Sequence, residues 1–421
     1  MAPKIGVLFD PAGTSTLELQ AAITGMAELV WVIRDGQDGG RVPRALLERM
    51  GDVVDVASDE LDAAAATLRL AGISGIVTFS DSHLILTAEL ADRLGLPGYP
   101  PDVAATVRNK FRQRQALRLA GVPQPDFWHL PAGLSSSEVR RIAADVPYPA
   151  LVKPTEAAGS RGIVRVLSGT DLEAAYDPAV DQLVEEVMSP TQAWSDRYAA
   201  QVAVGSAVTD TGLSHAVIQG NFPTDGYRLT GRFTPAQIDE TLQQQVLEVA
   251  TEAIRALGIR NSMVDTELMI TDSGPKVIEV NGRLSGASPS CLRLASDVDL
   301  RRTAVQLALG LAVDFPTLVP TRGVGFLWDC NPPANARTVL SIRGTDDLAA
   351  LDYVTSVQVQ AGPGEQLNRG DGTFGVVHVL GRTADHRELL EATEKIQRTV
   401  VIEYGFDELA DSAALATKGG S

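Results

Sequence analysis

The sequence predicts an α/β and α+β protein built from several domains. The chain has 421 residues, which is too long for one hydrophobic core. Strand and helix patterns alternate near the N-terminus, as in a parallel sheet with right-handed crossovers. Further along, neighbouring strands are joined by short turns, which is typical of antiparallel pairs.

An open α/β domain is predicted at residues 1–101. Its strands are apolar runs, expected at Lys4–Phe9, Leu29–Ile33 and Gly75–Phe79. Its helices have helical apolar spacing and are expected at Thr16–Met26 and Leu84–Leu94. The Pro- and Gly-rich run Pro97–Pro101 then marks the end of the domain.

A second domain is predicted at residues 102–315, with a lid subdomain at about 150–190. Helices are expected at Asp102–Ala120, Pro235–Leu257 and Asp297–Leu309. A strand at Ala150, a Gly-bearing loop and another strand form a hairpin-like element, followed by strand Leu183–Met188. Residues 316–421 are expected to form a small α+β domain with a flexible tail, containing strands Val354–Gln360 and Phe374–Leu380 and helix Ala384–Val401.

Composition excludes several classes of function. The net charge is −17, from 53 acidic and 36 basic residues, whereas a nucleic-acid-binding protein needs a basic surface. The two cysteines, Cys291 and Cys330, form neither a disulfide framework nor a zinc motif. The N-terminus reads as a strand rather than a signal peptide, and no run approaches the ~20 apolar residues of a membrane span. We therefore expect a cytoplasmic protein without a nucleic-acid or membrane partner.

The strongest chemical signal is a predicted hairpin near residue 270. Glu267 and Glu279 lie on strands Met263–Ile270 and Lys276–Val280, which a short turn joins. In an antiparallel pair the two carboxylates can lie side by side, and Asn281 shares the face of Glu279. Oxygen atoms that converge in this way are typical of a site for a hard divalent cation. The alternative is a hairpin with solvent-facing acids, which the apolar flanking residues disfavour.

Two lysines and a further strand are weaker signals on their own. Lys153 lies in the strand ALVKP beside a Gly-containing loop, where its ammonium and the backbone N–H groups of the loop can bind phosphate. An ordinary surface turn is the alternative. Lys110 by itself reads as a solvated helix residue, and Glu185 and Glu186 in LVEEVM read as an exposed strand edge or as a ribose contact.

Taken in order, these features resemble the ATP-grasp superfamily over Pro97 to Gly310. The run IEVNGRLSGASP is most similar to the carboxylate–amine ligase branch, which includes L-amino acid (dipeptide) ligases. The resemblance implies a pre-ATP-grasp α/β domain, an ATP-grasp fold and a small C-terminal α+β domain. It also implies the cofactors ATP and Mg²⁺, with Mn²⁺ as a substitute for Mg²⁺.

The resemblance assigns a role to each matching residue. The metal ligands are Glu267, Glu279 and Asn281. The catalytic residues are Arg283, which would steady the transferred phosphoryl group or the acyl phosphate, and Lys153. The residues expected to contact ATP are Lys110, Lys153, Ser160, Arg161, Gly162, Glu185, Glu186, Val187 and Met188. The ribose contact is either Glu186 or Asp196.

The implied activity joins a small carboxylic acid to an amine through an acyl phosphate. Candidate substrate contacts are His215, Arg228, Arg232, Arg283, Ser285 and Gly286. A hydrogen-bonded structural role for His215 is equally compatible with the sequence. The alternatives are an enzyme that activates formate or bicarbonate and a nucleotide-binding protein without turnover, and similar enzymes suggest a homodimer.

Overall fold

A computed structural model of the protein describes residues 2–406, except 12, 36–41, 58, 158, 160, 193, 195–196, 227, 287, 315–316 and 368–374. The N-terminal part contains, in chain order, β1 (Lys4–Leu8), α1 (Thr16–Ile23), β2 (Glu28–Arg34), α2 (Arg44–Met50), β3 (Asp52–Val56), α3 (Leu61–Ala71), β4 (Ile73–Thr78) and α4 (Leu84–Leu94). Its four strands form a parallel sheet in the order β3-β2-β1-β4. The predicted open α/β arrangement is confirmed.

Two helices connect this sheet to the rest of the chain: α5 (Pro101–Arg108) and α6 (Lys110–Leu119). The single helix predicted for Asp102–Ala120 is therefore wrong. The chain leaves the helical conformation at Asn109, which has φ −105° and ψ 110°. Its side chain accepts a hydrogen bond from the N–H of Arg112 and so caps α6.

A small antiparallel sheet follows, in the order β5-β8-β6-β7. Its elements in chain order are β5 (Phe127–Leu130), α7 (Ser136–Asp145), β6 (Ala150–Pro154), β7 (Val164–Val166), α8 (Gly169–Ala175) and β8 (Gln182–Glu186). The predicted hairpin is the β6–β7 pair, in which Ala150 lies opposite Val166.

The elements of the central part are β9 (Gln201–Val208), β10 (Leu213–Asn221), β11 (Gly231–Thr234), α9 (Glu240–Leu257), β12 (Ser262–Thr271), β13 (Gly274–Asn281), α10 (Ser288–Ala295) and α11 (Leu300–Ala308). The C-terminal part adds β14 (Val324–Cys330), β15 (Ala336–Arg343), α12 (Thr345–Ala349), β16 (Val354–Val359), β17 (Val377–Thr383), α13 (His386–Thr399) and β18 (Val401–Phe406). Helix α9 begins later than the predicted Pro235 because Asp239 caps its first turn.

One eight-stranded sheet links the central and C-terminal parts, in the order β13-β12-β9-β10-β11-β14-β17-β16. The three-domain division of the sequence stays a prediction, because this sheet includes strands from both sides of the second expected boundary. One face of the sheet packs on α9 through side chains such as Val204, Val264 and Ile254. The opposite face near β11 to β13 carries polar and charged side chains.

The parallel sheet docks closely against the central part. A Cβ atom added to Gly75 in β4 would lie 2.3 Å from the carbonyl oxygen of Ala308 in α11, so only glycine permits this approach. Nearby, the buried Arg301 binds Glu18 of α1 and the hydroxyl of Ser290. Within the described residues, no helix combines the length and apolar character needed to cross a bilayer.

Candidate active site

The two predicted carboxylates lie directly opposite each other on the hairpin β12–β13. Glu267 pairs with Glu279, and Asp265 pairs with Asn281 two positions away. Because side chains alternate along a strand, all four project from the same sheet face. This is the face opposite α9, since the intervening Thr266 pairs with Val280 of the α9-side core. The short turn sets the pairing from Thr271 to Leu268, and a register shift between Leu268 and Glu267 then brings Glu267 opposite Glu279.

Arg232 of β11 binds both acids of β12. Its guanidinium lies 2.6 Å from Glu267 and 3.3 Å from Asp265 and donates to the Ser285 hydroxyl at 3.1 Å. Two strands, β10 and β9, lie between β11 and β12, and on β9 the small Ala203 lies opposite Glu267. Burial lowers the pKa of Arg232, but the carboxylates of Asp265 and Glu267 outweigh this effect and raise the pKa above its usual value.

Burial and the neighbouring charges raise the pKa of Glu267. Desolvation is the largest cause, Arg232 opposes it, and the carboxylates of Asp265 and Glu279 add to it. A further cation at this position would relieve the repulsion between Glu267 and Glu279. The donor set of two carboxylates and the Asn281 amide therefore fits a hard divalent ion. No group of three or more His, Cys, Asp and Glu residues suited to a metal is found among the described residues, so such a site depends on the amide as its third ligand.

Lys110 connects the hairpin to the predicted phosphate loop. It is the first residue of α6, and its ammonium lies 2.6 Å from both Glu279 and the carbonyl oxygen of Ala157. Its backbone N–H donates to the carbonyl of Thr155, just after β6. Lys110 is therefore held in the site rather than solvated.

Lys153 lies at the centre of a buried charge cluster. Its ammonium is 2.6 Å from one oxygen of Glu185, and Arg114 binds the other oxygen at 2.7 Å. Burial raises the pKa of Glu185, but the charges of Arg114 and Lys153 outweigh it and hold this pKa at about 2. Burial lowers the pKa of Lys153, which Glu185 opposes. Glu185 therefore positions Lys153.

Arg114 was not anticipated from the sequence. Its guanidinium also donates to the carbonyls of Val277 and Ile278 on β13, the edge strand of the large sheet. Since Glu185 belongs to the small sheet, this one side chain links the two sheets. The sequence KFRQRQ does not indicate that Arg114 is buried between the two sheets, because a charged residue in a helix is usually exposed.

Arg283 follows β13 and faces the N-terminal part. It binds Asp81, which lies in a 3-10 turn (Asp81–His83) after β4. Burial raises the pKa of Asp81, but the charge of Arg283 outweighs it and leaves this pKa below its usual range. The N-terminal sheet thus contributes a carboxylate to the site, another residue that sequence reasoning missed.

The remaining predicted nucleotide contacts surround the small sheet. Glu186 ends β8, accepts from the N–H of Asp126 at 3.3 Å and lies 3.9 Å from Lys276. Val187 and Met188 follow it and are half-buried. Gly162 has φ +71° near Pro154, and Arg161 is exposed. Ser160 and Asp196 lie outside the described residues.

Not all predicted substrate residues face this site. His215 points toward α9, where its ring is hydrogen bonded to Ser206 at 2.9 Å and to Thr251 at 2.8 Å. Burial lowers the pKa of His215 to about 4, which is typical of a neutral structural histidine. Arg228 binds Asp225 and the carbonyl of Pro332. Gly286 is exposed beside the buried Ser285.

Comparison with known proteins gives a match to one family model and to several characterised enzymes. Residues 107–287 match the family model of the ATP-grasp domain. The chain is 27% identical over 269 residues to carnosine synthase 1 of Mus musculus, covering 60% of this chain and 32% of that protein. It is 24% identical over 238 residues to the alanine–anticapsin ligase of Bacillus subtilis (strain 168), covering 51% of this chain and 49% of that protein.

A solved structure covers nearly the whole chain. The L-amino acid ligase from Bacillus licheniformis superposes with a TM-score of 0.77 at 19% identity, over 96% of this chain and 99% of that chain. At this identity the likeness concerns the fold. By contrast, the chain spans less than two thirds of the length of the curated relatives that it matches. The match to the ATP-grasp domain model spans residues 107–287, which include the hairpin β12–β13, Lys110 and Lys153.

Proposed function

We propose that this chain is an ADP-forming carboxylate–amine ligase, which uses ATP to form an amide or peptide bond through an acyl phosphate. Its substrates are a small carboxylic acid and an amine, either amino acids or a small specialised metabolite. The observation that carries the proposal is the opposed pair Glu267 and Glu279, each held by its own cation, Arg232 or Lys110. The names of the relatives, carnosine synthase and alanine–anticapsin ligase, support amide formation.

Glu267, Glu279 and Asn281 would hold Mg²⁺, and Mn²⁺ is the expected substitute. When bound, the ion would neutralise charge on the nucleotide phosphates. Lys110 and Lys153 supply the protein's own positive charges for phosphates, and Glu185 keeps Lys153 oriented. Glu186, Val187 and Met188, with the loop at Arg161 and Gly162, are the proposed contacts of the adenine, ribose and phosphates.

The chemistry requires two displacements. An oxygen of the carboxylic acid attacks the terminal phosphorus of ATP, and the bond from that phosphorus to ADP breaks. The uncharged nitrogen of the amine then attacks the acyl carbon, the bond to phosphate breaks, and the nitrogen loses one proton. Arg283 is positioned to steady the phosphoryl oxygens, because it lies next to the hairpin with its planar guanidinium.

A screen for nucleotide turnover tests the proposal. ADP release is measured with the full chain, ATP and Mg²⁺ across a panel of amino acids and other acids, each with and without an amine, and products are weighed by mass spectrometry. We expect ADP to form only when an acid is present. We also expect a product whose mass equals that of the acid plus the amine minus one water. Turnover that depends on bicarbonate or formate would assign the chain to the other catalytic class. ATP binding without any ADP formation would indicate a nucleotide-binding protein that does not turn over ATP.

We also propose a cytoplasmic location and a homodimeric assembly. Cys291 and Cys330 are both free, and burial raises the pKa of each thiol to about 12. Such unreactive thiols suit the reducing cytoplasm that we propose. A homodimer is proposed from similarity to related enzymes, and size-exclusion chromatography with light scattering tests it.

A further inference from the structure

A second polar pair lies on the active-site face of the large sheet, beyond Arg232. Arg232 of β11 pairs with Leu327 of β14, and Asp329 is two residues further along the same strand. Asp329 in turn pairs with His378 of β17. Alternation along the strands therefore places Arg232, Asp329 and His378 on one face.

One oxygen of the Asp329 carboxylate, Oδ1, is buried and has no hydrogen-bond donor among the described residues. The Asp329 side chain is 11% exposed. Nε2 of His378 lies 3.4 Å from Oδ1. A buried carboxylate oxygen without a donor is unfavourable, so native proteins rarely keep one unless a ligand completes it.

The charges around the pair favour a positively charged group as that ligand. Burial raises the pKa of Asp329, against the charges of His378 and Arg232. Burial also lowers the pKa of His378, against Asp329, so the imidazole is uncharged at neutral pH. Arg232 does not compensate Asp329, because its guanidinium already binds Asp265 and Glu267.

We propose that Asp329 and His378 form a subsite for a cationic amino group carried by one of the substrates. The carboxylate supplies the negative charge, and a neutral imidazole can accept a second N–H. His378 keeps 28% of its side chain exposed, so the pair is open to a ligand. Two side chains alone would make a poor metal site, whereas an ammonium with three donors matches them. The inference rests on the proposed ligase function and narrows its substrates to pairs in which the acid or the amine carries a protonated amino group besides the uncharged nitrogen that attacks.

Binding can be tested without turnover. The wild-type chain is titrated calorimetrically with amino acids and with acids of the same skeleton that lack the amino group, namely L-alanine against propionate and L-phenylalanine against 3-phenylpropionate, with ADP and Mg²⁺ present. We expect at least one amino acid to bind about 10- to 100-fold more tightly than its partner, the usual effect of a charged hydrogen bond. Asp329→Asn should abolish this preference, and His378→Gln should reduce it. Asp352→Asn, at an exposed position of the same region, should leave it unchanged.

Absence of a preference in the wild-type chain, or an unchanged preference in Asp329→Asn, would overturn the subsite. Misfolding is not expected for Asp329→Asn, since the change removes the charge of a buried carboxylate whose Oδ1 lacks a donor. The fold of each variant is checked by circular dichroism. His378→Gln provides an independent second variant.

Turnover identifies which substrate carries the group. In this assay hydroxylamine replaces the amine substrate, because it is largely uncharged at neutral pH. The rate of ADP release is measured as the concentration of the acid is varied. If the amino group belongs to the acid, Asp329→Asn raises the KM of the acid about tenfold or more in this assay. If it belongs to the amine, the hydroxylamine reaction is unchanged and only the KM of the amine rises. Unchanged KM values for both would contradict the subsite, whereas no ADP release by the wild-type chain with any acid would contradict the ligase function instead.

Discussion

Replacing Glu185 by glutamine tests the buried charge cluster most directly. Glu185 is the shared partner of Lys153 and Arg114, and all three side chains are buried. Glu185→Gln keeps the size of the side chain and removes its charge. Two buried cations then remain without a carboxylate, which is more costly than the loss of a whole ion pair.

The contribution of the ionised Glu185 to the stability of the folded protein follows from the pKa of its carboxyl group. Its value falls from 4.5 to about 2 in the folded protein, a difference of roughly 2.5 units or ~3 kcal/mol at pH 7. Breaking a buried ion pair by removing one partner typically costs about 3–5 kcal/mol, which agrees with this figure. Because the folded pKa is depressed, the stabilisation is complete above pH 4.5 and is lost as the pH falls towards 2. At pH 3 roughly half of this stabilisation should remain.

Native-state hydrogen exchange of the amides in β6 and β8 measures this local stability. In Glu185→Gln these amides should exchange about a hundredfold faster than in the wild-type chain at pH 7 and only about tenfold faster at pH 3. The matched control is Glu173→Gln in the neighbouring helix α8. Glu173 pairs with Arg140 at 3.3 Å, with exposed fractions of 34% and 58%, so its loss should cost less than about 1 kcal/mol.

Two results would refute this reasoning. Equal exchange rates in Glu185→Gln and Glu173→Gln would mean that Glu185 does not stabilise the small sheet. If the exchange rates of Glu185→Gln exceeded those of the wild-type chain by the same factor at pH 7 and at pH 3, the ionised carboxylate would not be the source of the difference.

Three further predictions concern the hairpin, the phosphate lysine and the large sheet. Glu279→Ala should reduce ADP formation at least about a hundredfold with an unchanged circular dichroism spectrum, and retained turnover would remove the metal assignment. Lys153→Ala should raise the ATP concentration for half-maximal turnover about 10- to 100-fold; an unchanged nucleotide dependence would argue against a phosphate contact. Gly231→Ala should destabilise the protein by about 2–4 kcal/mol, because the added Cβ would lie 2.1 Å from the carbonyl oxygen of Leu327 at φ +135°. Gly226 has φ +62°, and an added Cβ there would lie in open space, so Gly226→Ala should lower the stability of the fold by only about 1 kcal/mol. Equal midpoints of thermal unfolding for Gly231→Ala and Gly226→Ala would contradict the clash at Gly231.

The sequence was most informative where the structure is local. Two apolar strands and a short turn are enough to predict the hairpin that carries Glu267 and Glu279, whereas the register shift beside Glu267 that brings the two residues directly opposite each other has no signal in the sequence. The break between α5 and α6 is also local, and the capping preference of asparagine could have revealed it at Asn109. The roles of these residues in binding metal and nucleotide remain predictions.

Contacts between distant parts of the chain gave no local signal. Arg283 and Asp81 are 202 residues apart, and Lys110 and Glu279 are 169 apart. Each residue has the character of an ordinary surface charge when read alone. Only the docking of the parallel sheet and of α6 against the hairpin makes them partners, and docking depends on the packing of whole elements.

The long-range contacts also reconcile a net charge of −17 with a site for phosphates. Lys110 joins α6 to the hairpin, Arg114 joins the small sheet to β13, and Arg283 joins β13 to the N-terminal sheet. The cations are therefore concentrated where the three sheets meet, and a carboxylate compensates each one. A phosphate that binds Lys110 must compete with Glu279, unless another cation neutralises Glu279 at the same time. This competition is a physical reason to expect the nucleotide and a divalent cation to bind together rather than separately.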